Sequence, residues 1–256
     1  MRRLILFLAT PLYALFSGNP GSPGLYKEGL YSGDLRFSVR TGAFFDFMLR
    51  QRYRDEFKLE SLPSTPSFAK MRTEGGILTV NFLNKLDLYT LLAASRLELD
   101  EEIYTKIEFG WGVGGTLVIY HGGHLRIGLD SKYYETNQKP RFFLSEDYAY
   151  NILSEYRLKY SEILTSLGAT YQVGPIVPYA NLTYLYSKID PTPYVVAVQL
   201  PFYDDSIDVL SKSVVAKKRW GLALGGTLLA NRTATLTIES RLFNQNGINL
   251  SGQLRF

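Results

Sequence analysis

Along most of the chain, apolar and polar residues take turns. In the last segment Ile248, Leu250, Gly252, Leu254 and Phe256 alternate with Asn249, Ser251, Gln253 and Arg255. Successive side chains of a strand point to opposite faces, so this segment has one lipid-compatible face and one wet face. The segment before it repeats the pattern, with Leu236, Ile238 and Leu242 set against Thr235, Thr237, Glu239 and Arg241. Many such segments of about ten residues, separated by clusters of Gly, Pro, Asn and Asp, are the mark of a β-barrel that crosses a membrane. No stretch past the N-terminal region approaches the roughly 18 apolar residues that a spanning helix needs.

Twelve strands are predicted, near 25–32, 35–48, 52–60, 72–83, 86–98, 106–120, 124–135, 158–173, 176–188, 213–230, 233–243 and 247–256. With Phe256 at the periplasmic end, the outward connections become 244–246, 189–212, 136–157, 99–105, 61–71 and 33–34. The periplasmic ones become 231–232, 174–175, 121–123, 84–85 and 49–51. Every long connection then falls outside, as such barrels require, and an even count brings both ends to the periplasmic side. Further strands within 136–157 or 189–212 would raise the count to fourteen or sixteen. In lipid every backbone N–H and C=O needs an internal partner, which a sheet achieves only by closing on itself. The expected fold is therefore all-β, a transmembrane antiparallel β-barrel of about 12 strands. Such a barrel is wider than the eight-stranded kind that side chains fill, and an open or partly obstructed lumen is expected.

Composition agrees with a sheet wet on one side and apolar on the other. The 256 residues include 19 Tyr and 15 Phe, yet the mean hydropathy is −0.06, too polar for a bundle of membrane helices. The start is different in kind. Met1-Arg2-Arg3 leads into an apolar run from Leu4 to Phe16 that holds Pro11, followed by small residues. That is the outline of a secretory signal peptide, too short to span a bilayer. Residues 1–14 are expected to be removed, with cleavage after Ala14, leaving 15–256 as one barrel domain. The formal net charge of +4 then loses Arg2 and Arg3, 4 − 2 = +2. No basic run exceeds Lys217-Lys218-Arg219, so no nucleic-acid partner is expected. With no cysteine there is neither a disulfide framework nor a Cys-ligated metal.

The face opposite the apolar one should line the lumen. On that rule Arg36, Arg40, Arg126, Lys132, Lys217, Arg219, Arg241 and Arg255 point inward, with a smaller acidic set of Asp46, Asp130, Glu162 and Glu239. A basic lumen would favour anions, unless the charges pair across strands and cancel. Tyr31, Phe45, Trp111, Tyr133, Tyr186, Trp220 and Phe256 fall near strand ends, where interfacial aromatic girdles sit. The two histidines, His121 and His124, flank a periplasmic turn with no third ligand nearby. That is away from the outer rim where a barrel hydrolase would need one, so neither a metal, a cofactor nor an enzymatic site is expected. Asp100-Glu101-Glu102 and Asp204-Asp205-Ser206-Ile207-Asp208 read as solvated loop charge. Gly110 to Gly115 lies in a strand and lacks the Lys-Ser/Thr of a phosphate loop; it is expected to ease curvature or packing.

A chain that ends on a strand closed by Phe resembles bacterial outer-membrane barrels, in which Phe256 would be the signal read by the barrel-assembly machinery. Longer segments carry a narrower resemblance. They are Gly18-Asn19-Pro20 with Pro23, Leu25 and Gly29; Ser38 to Phe47; Asn84 to Tyr89; Trp111-Gly112-Val113-Gly114 with Gly123, Gly128 and Tyr133; Tyr171 to Asp190 with Pro178-Tyr179; Ile238 to Leu242; and Gln253 to Phe256. In order and position they are similar to the chlamydial major outer-membrane protein, a porin family. The resemblance runs from about Gly18 to Phe256. It implies passive diffusion of small hydrophilic solutes and ions, a homo-oligomer, usually a trimer, and surface-exposed variable loops. The chain departs from the family in its short loops and in lacking the cysteines that link members into a network. The competing expectation is a surface adhesin or structural envelope protein with a plugged barrel. Lumen content separates the two: large inward side chains, or a segment folded inside, would close the path.

Overall fold

A computed structural model describes residues 16–25, 37–55, 68–100, 103–145, 148–152, 156–192, 195–199, 206–210, 212–230 and 233–256. Among these residues sixteen strands follow in chain order. Ten long ones form the wall: β1 (Phe37–Asp55), β2 (Phe68–Phe82), β3 (Leu86–Leu99), β5 (Glu108–Gly122), β6 (Leu125–Gln138), β9 (Arg157–Tyr171), β10 (Ile176–Thr192), β14 (Trp220–Leu229), β15 (Ala234–Leu242) and β16 (Gln245–Arg255). Each is antiparallel to the next, and β16 pairs back onto β1 from Arg40↔Arg255 to Gln51↔Gln245. The ring is thus a closed barrel. Its seam is fastened at one end by the Phe256 N–H, which donates to the Val39 carbonyl at 2.9 Å.

Six short strands lie off the ring: β4 (Ile103–Thr105), β7 (Pro140–Ser145), β8 (Tyr148–Ile152), β11 (Val195–Gln199), β12 (Ser206–Leu210) and β13 (Val214–Ala216). Five of them continue outward from β3 as a hydrogen-bonded ladder in the order β4, β7, β8, β11, β12. The sixth, β13, bridges β1 and β10 above the shorter β14, β15 and β16.

Connections at one end are tight. The β2–β3 turn places Leu83 and Asn84 both at φ 54°, where Asn is tolerated and Leu is not favoured. The Asn81 side chain braces it by accepting the Asn84 N–H at 3.1 Å. The long connections all leave the other end, the segregation expected, and by the rule for such barrels that end is the outer one.

The count of twelve is corrected to ten. The expected strands 35–48 and 52–60 are, over the described 37–55, one strand, β1, and 49–51 is not a turn; 35–36 and 56–60 lie outside the described residues. A β-bulge at Met48–Gln51 leaves Leu49 and Arg50 both outward, which breaks the alternation for a single step. The expected strand 213–230 is interrupted at 217–219 and supplies β13 and β14. The hairpins inside 136–157 and 189–212 exist but join the outer ladder, so neither fourteen nor sixteen describes the ring. The expected strand 25–32 lies, beyond Leu25, outside the described residues, as does the connection 33–34.

The wall's two faces are chemically opposite. Outward positions carry exposed apolar side chains, among them Leu78, Leu92, Leu182, Ile238 and Leu250. This is the reverse of a water-soluble protein and the signature of a lipid-facing belt. Aromatic pairs edge it: Phe37–Phe82 and His124–Tyr171 at the short-turn end, Trp111–Tyr133 and Tyr184–Trp220 toward the outside. Phe45 is an exception to the girdle expectation. Cross-strand from Leu250, it sits within the belt rather than at a strand end.

Candidate functional site

The inward positions define the lumen, and it is occupied. In the half nearer the short turns it holds residues 16–25 of the same chain, which close in a 3-10 turn at Ser22–Gly24. The wall grips this segment through its backbone. The Glu239 carboxylate of β15 accepts the Ser17 N–H at 2.7 Å, the Ser17 hydroxyl at 2.8 Å and the Gly18 N–H at 2.9 Å. It also accepts the Tyr179 hydroxyl at 2.9 Å. From β10, the Asn181 amide donates to Ser17 Oγ at 2.7 Å and the Gly18 carbonyl at 2.8 Å. Asn19 donates to Thr227 of β14 at 2.9 Å, and Asn81 of β2 donates to the Pro23 carbonyl at 3.2 Å. Buried polar groups need such partners, so the segment and the wall satisfy each other.

Shape complements this bonding. A Cβ built on Gly128 of β6 would lie 2.2 Å from the Pro20 carbonyl oxygen, so only glycine lets the segment lie there. The same device fits the wall's own rings. Gly110 and Gly112 of β5 make room for Tyr134, Gly114 for Tyr89, and Gly225 of β14 for Tyr179. Beside the segment a cavity of about 40 Å³ remains, lined by Phe16, Arg40, Thr79, Asp87, Thr116 and Ser251 among others. That is space for ordered water, not for a hydrated solute.

The outer half is closed differently. Met48 and Tyr53 of β1, Met71 of β2, Leu91, Leu97 and Leu99 of β3, Tyr134 of β6, Leu158 and Tyr160 of β9, Ile189 of β10 and Val214 of β13 pack into one buried cluster inside the barrel. Phe16 and Phe44 join its lower edge with rings 5.7 Å apart. Inward apolar side chains bury their surface against one another rather than facing water.

Charge lines the periplasmic half and the middle of the lumen, and much of it is paired. Arg241 reaches Asp46 at 2.8 Å, with its Nε 3.8 Å from Glu239. Arg40 pairs with Asp87 and donates to Ser22 Oγ at 3.1 Å. Asp130 accepts Thr116 at 2.7 Å and Tyr89 at 2.8 Å. Glu162 accepts the Tyr160 hydroxyl. The Lys132 ammonium sits 4.4 Å from the centre of the Phe16 ring, a cation–π contact strengthened by exclusion of water. Arg126 shares Gln172 Oε1 at 3.3 and 3.4 Å. Charges taken out of water stay only where partners replace the solvent.

Of the residues expected to line the lumen, the barrel thus brings Arg40, Asp46, Arg126, Asp130, Lys132, Glu162, Glu239, Arg241 and Arg255 inside, all buried. Lys217 and Arg219 are placed differently. They are exposed, in the strandless link between β13 and β14, where face alternation does not apply. Arg219 packs instead on the Tyr184 hydroxyl at 3.1 Å and over the Tyr186 ring. Arg36 lies outside the described residues. What alternation missed is the occupant, Phe16 to Leu25, and its receptors Tyr179 and Asn181. Two signals were present: a Gly-Asn-Pro-Gly-Ser-Pro-Gly stretch that cannot make a strand, and inward glycines where a wall needs bulk.

A closed antiparallel barrel with an apolar outer belt, aromatic edges, short turns at one end and long connections at the other is an outer-membrane β-barrel. The chain crosses the bacterial outer membrane many times as strands. It is distantly similar to the major outer membrane porins of Chlamydia trachomatis. It is 18% identical to that of serovar E over 377 aligned positions, covering 97% of this chain and 96% of the relative. To that of serovar B it is 19% identical over 378 positions, with the same coverage. The alignments exceed the chain's 256 residues, so the relatives carry insertions. No family model matches the chain. Among solved structures it is similar to the translocator domain of the autotransporter NalP from Neisseria meningitidis (TM-score 0.44, 9% identity, 87% of this chain and 88% of that one). It is also similar to the outer membrane protease OmpT from Escherichia coli (TM-score 0.39, 8% identity, 86% and 92%).

Proposed function

We propose that this chain is a closed outer-membrane barrel that anchors and presents an outer β-sheet at the cell surface, with no catalytic role. One observation carries the reading. The lumen is occupied in both halves, by residues 16–25 in the periplasmic half and by the Met48–Met71–Leu91–Tyr160 cluster in the outer half. A ten-stranded wall is only slightly wider than one that side chains fill unaided. The described parts of three outward connections, those after β3, β6 and β10, are joined into the β4–β7–β8–β11–β12 ladder, which gives the surface a defined sheet. Its partners in this role are outer-membrane lipid, the barrel-assembly machinery through Phe256, and copies of itself.

The second reading is a porin for small hydrophilic solutes and ions. It is favoured by the Chlamydia trachomatis relatives, which align over 97% of this chain. It requires residues 16–25 to leave and the apolar cluster to part. Reconstitution in a planar bilayer under a salt gradient separates the two. The closed barrel is expected to give no discrete conductance steps although gel mobility shows it folded. Long-lived steps would establish the porin. In that case a reversal potential near zero is expected, because Arg241–Asp46 and Arg40–Asp87 cancel and Arg219 packs on the outward Tyr184 and Tyr186.

A further inference from the structure

The outer edge of the lipid belt is not uniform around the barrel. On β5–β6 and β10–β14 it is marked by the aromatic pairs Trp111–Tyr133 and Tyr184–Trp220. On β1, β2 and β3 it is marked by cations. Outward positions of β1 are apolar or small from Phe37 to Leu49 and then become Arg50, Arg52 and Arg54. At the same edge β2 turns outward Arg72 and Lys70, and β3 turns outward Arg96. All except the half-buried Lys70 are exposed.

These three strands are consecutive in the ring, so the six cations form one face. Carboxylates among them include Glu74 beside Arg72 at 3.1 Å, Glu98 beside Lys70 at 3.0 Å, and Asp100, which accepts the Phe68 N–H at 2.8 Å. Arg72 and Arg96 are direct cross-strand partners. Like charges placed opposite each other in a sheet destabilise it, and Glu74 offsets one charge of the pair while the six cations leave the face positive as a whole. Directly below, Leu78, Leu92 and Phe45 offer exposed apolar surface.

We propose that this face of β1–β3 is a binding site for the phosphate groups of an anionic outer-leaflet lipid whose acyl chains lie on the belt beneath. The match is amphipathic. Cations stand at headgroup height, apolar side chains at chain height, and arginine forks suit phosphate oxygens bidentately. The inference is independent of whether the lumen conducts.

The test uses the full chain refolded in nanodiscs, with a bisphosphorylated glycolipid and its dephosphorylated counterpart as probes. Native mass spectrometry counts lipids retained per barrel. Selective retention of the phosphorylated lipid is expected, falling roughly tenfold or more in Arg72→Gln/Arg96→Gln. Arg72→Lys/Arg96→Lys should keep most of it, and heat-modified gel mobility verifies folding of both variants. Equal retention of the dephosphorylated lipid would overturn the proposal, as would undiminished binding by the Gln variant. Lipid-independent oligomers in which a Cys label at Arg96 is shielded would overturn it in favour of an interface between copies.

Discussion

At the scale of single residues, the lumen is decided by glycines and by one carboxylate. Gly128 is the clearest case, because a side chain there meets the Pro20 carbonyl before anything else. Gly128→Val is expected to evict residues 16–25 while leaving the wall standing, at a cost of about 1–3 kcal/mol from overpacking. Limited proteolysis with mapping of the cut sites reads the eviction directly. Gly226 faces outward with nothing within 4 Å of a built Cβ, so Gly226→Ala serves as the neutral control, within about 0.5 kcal/mol. Glu239 holds four donors at once. Glu239→Ala strands the buried Ser17, Gly18 and Tyr179 donors and is expected to cost more than about 3 kcal/mol in urea unfolding from detergent micelles. Nine of the inward charges were legible from alternation alone, since face parity is a property of the backbone. Their pairing was not, because Asp46 and Arg241 are 195 positions apart in sequence and meet only when the ring closes.

Among the elements, strand existence and facing were legible, and register irregularities were not. The β1 reading failed at Leu49–Arg50 because a bulge puts two successive side chains outward, which in a sequence looks like the end of a strand. The polar run Arg50 to Arg54 deepened the error, since outward positions above a membrane belt have no reason to be apolar. β13 was lost for the converse reason: Val214 to Ala216 and Trp220 onward read as one strand when three exposed residues separate them. The bulge itself makes an expectation. Leu49 is the extra residue against β16, where Met48 faces Gly247 and Arg50 faces Asn246. Its deletion leaves Met48 and Gln51 inward and should yield a barrel of near-normal thermal stability, checked by gel mobility against temperature. A chain that no longer assembles would mean that the bulge sets the register of the seam.

For the whole molecule, the two halves of the lumen are closed by different means and should respond differently. Deleting residues 16–25 removes one occupant only. A dead-end chamber open to the periplasm is expected, in which Thr237→Cys becomes reactive to a small thiol reagent added from that side. Through-conductance should stay absent, since the apolar cluster around Met71 is built from the wall and β13 and loses only Phe16 at its lower edge. Current after this deletion alone would show that the cluster does not seal. The ring's closure has one more consequence. Because the Phe256 amide bonds to Val39, the two ends of the wall are neighbours. A circularly permuted gene could join them by a short linker and begin in an outer connection. Such a chain would keep all ten wall strands yet leave the lumenal segment off the covalent path. The stretch from Phe16 to Leu25 would then become an ordinary soluble peptide. Its hold on the barrel could be titrated by calorimetry like that of any ligand, with the Gly128→Val wall as the blank.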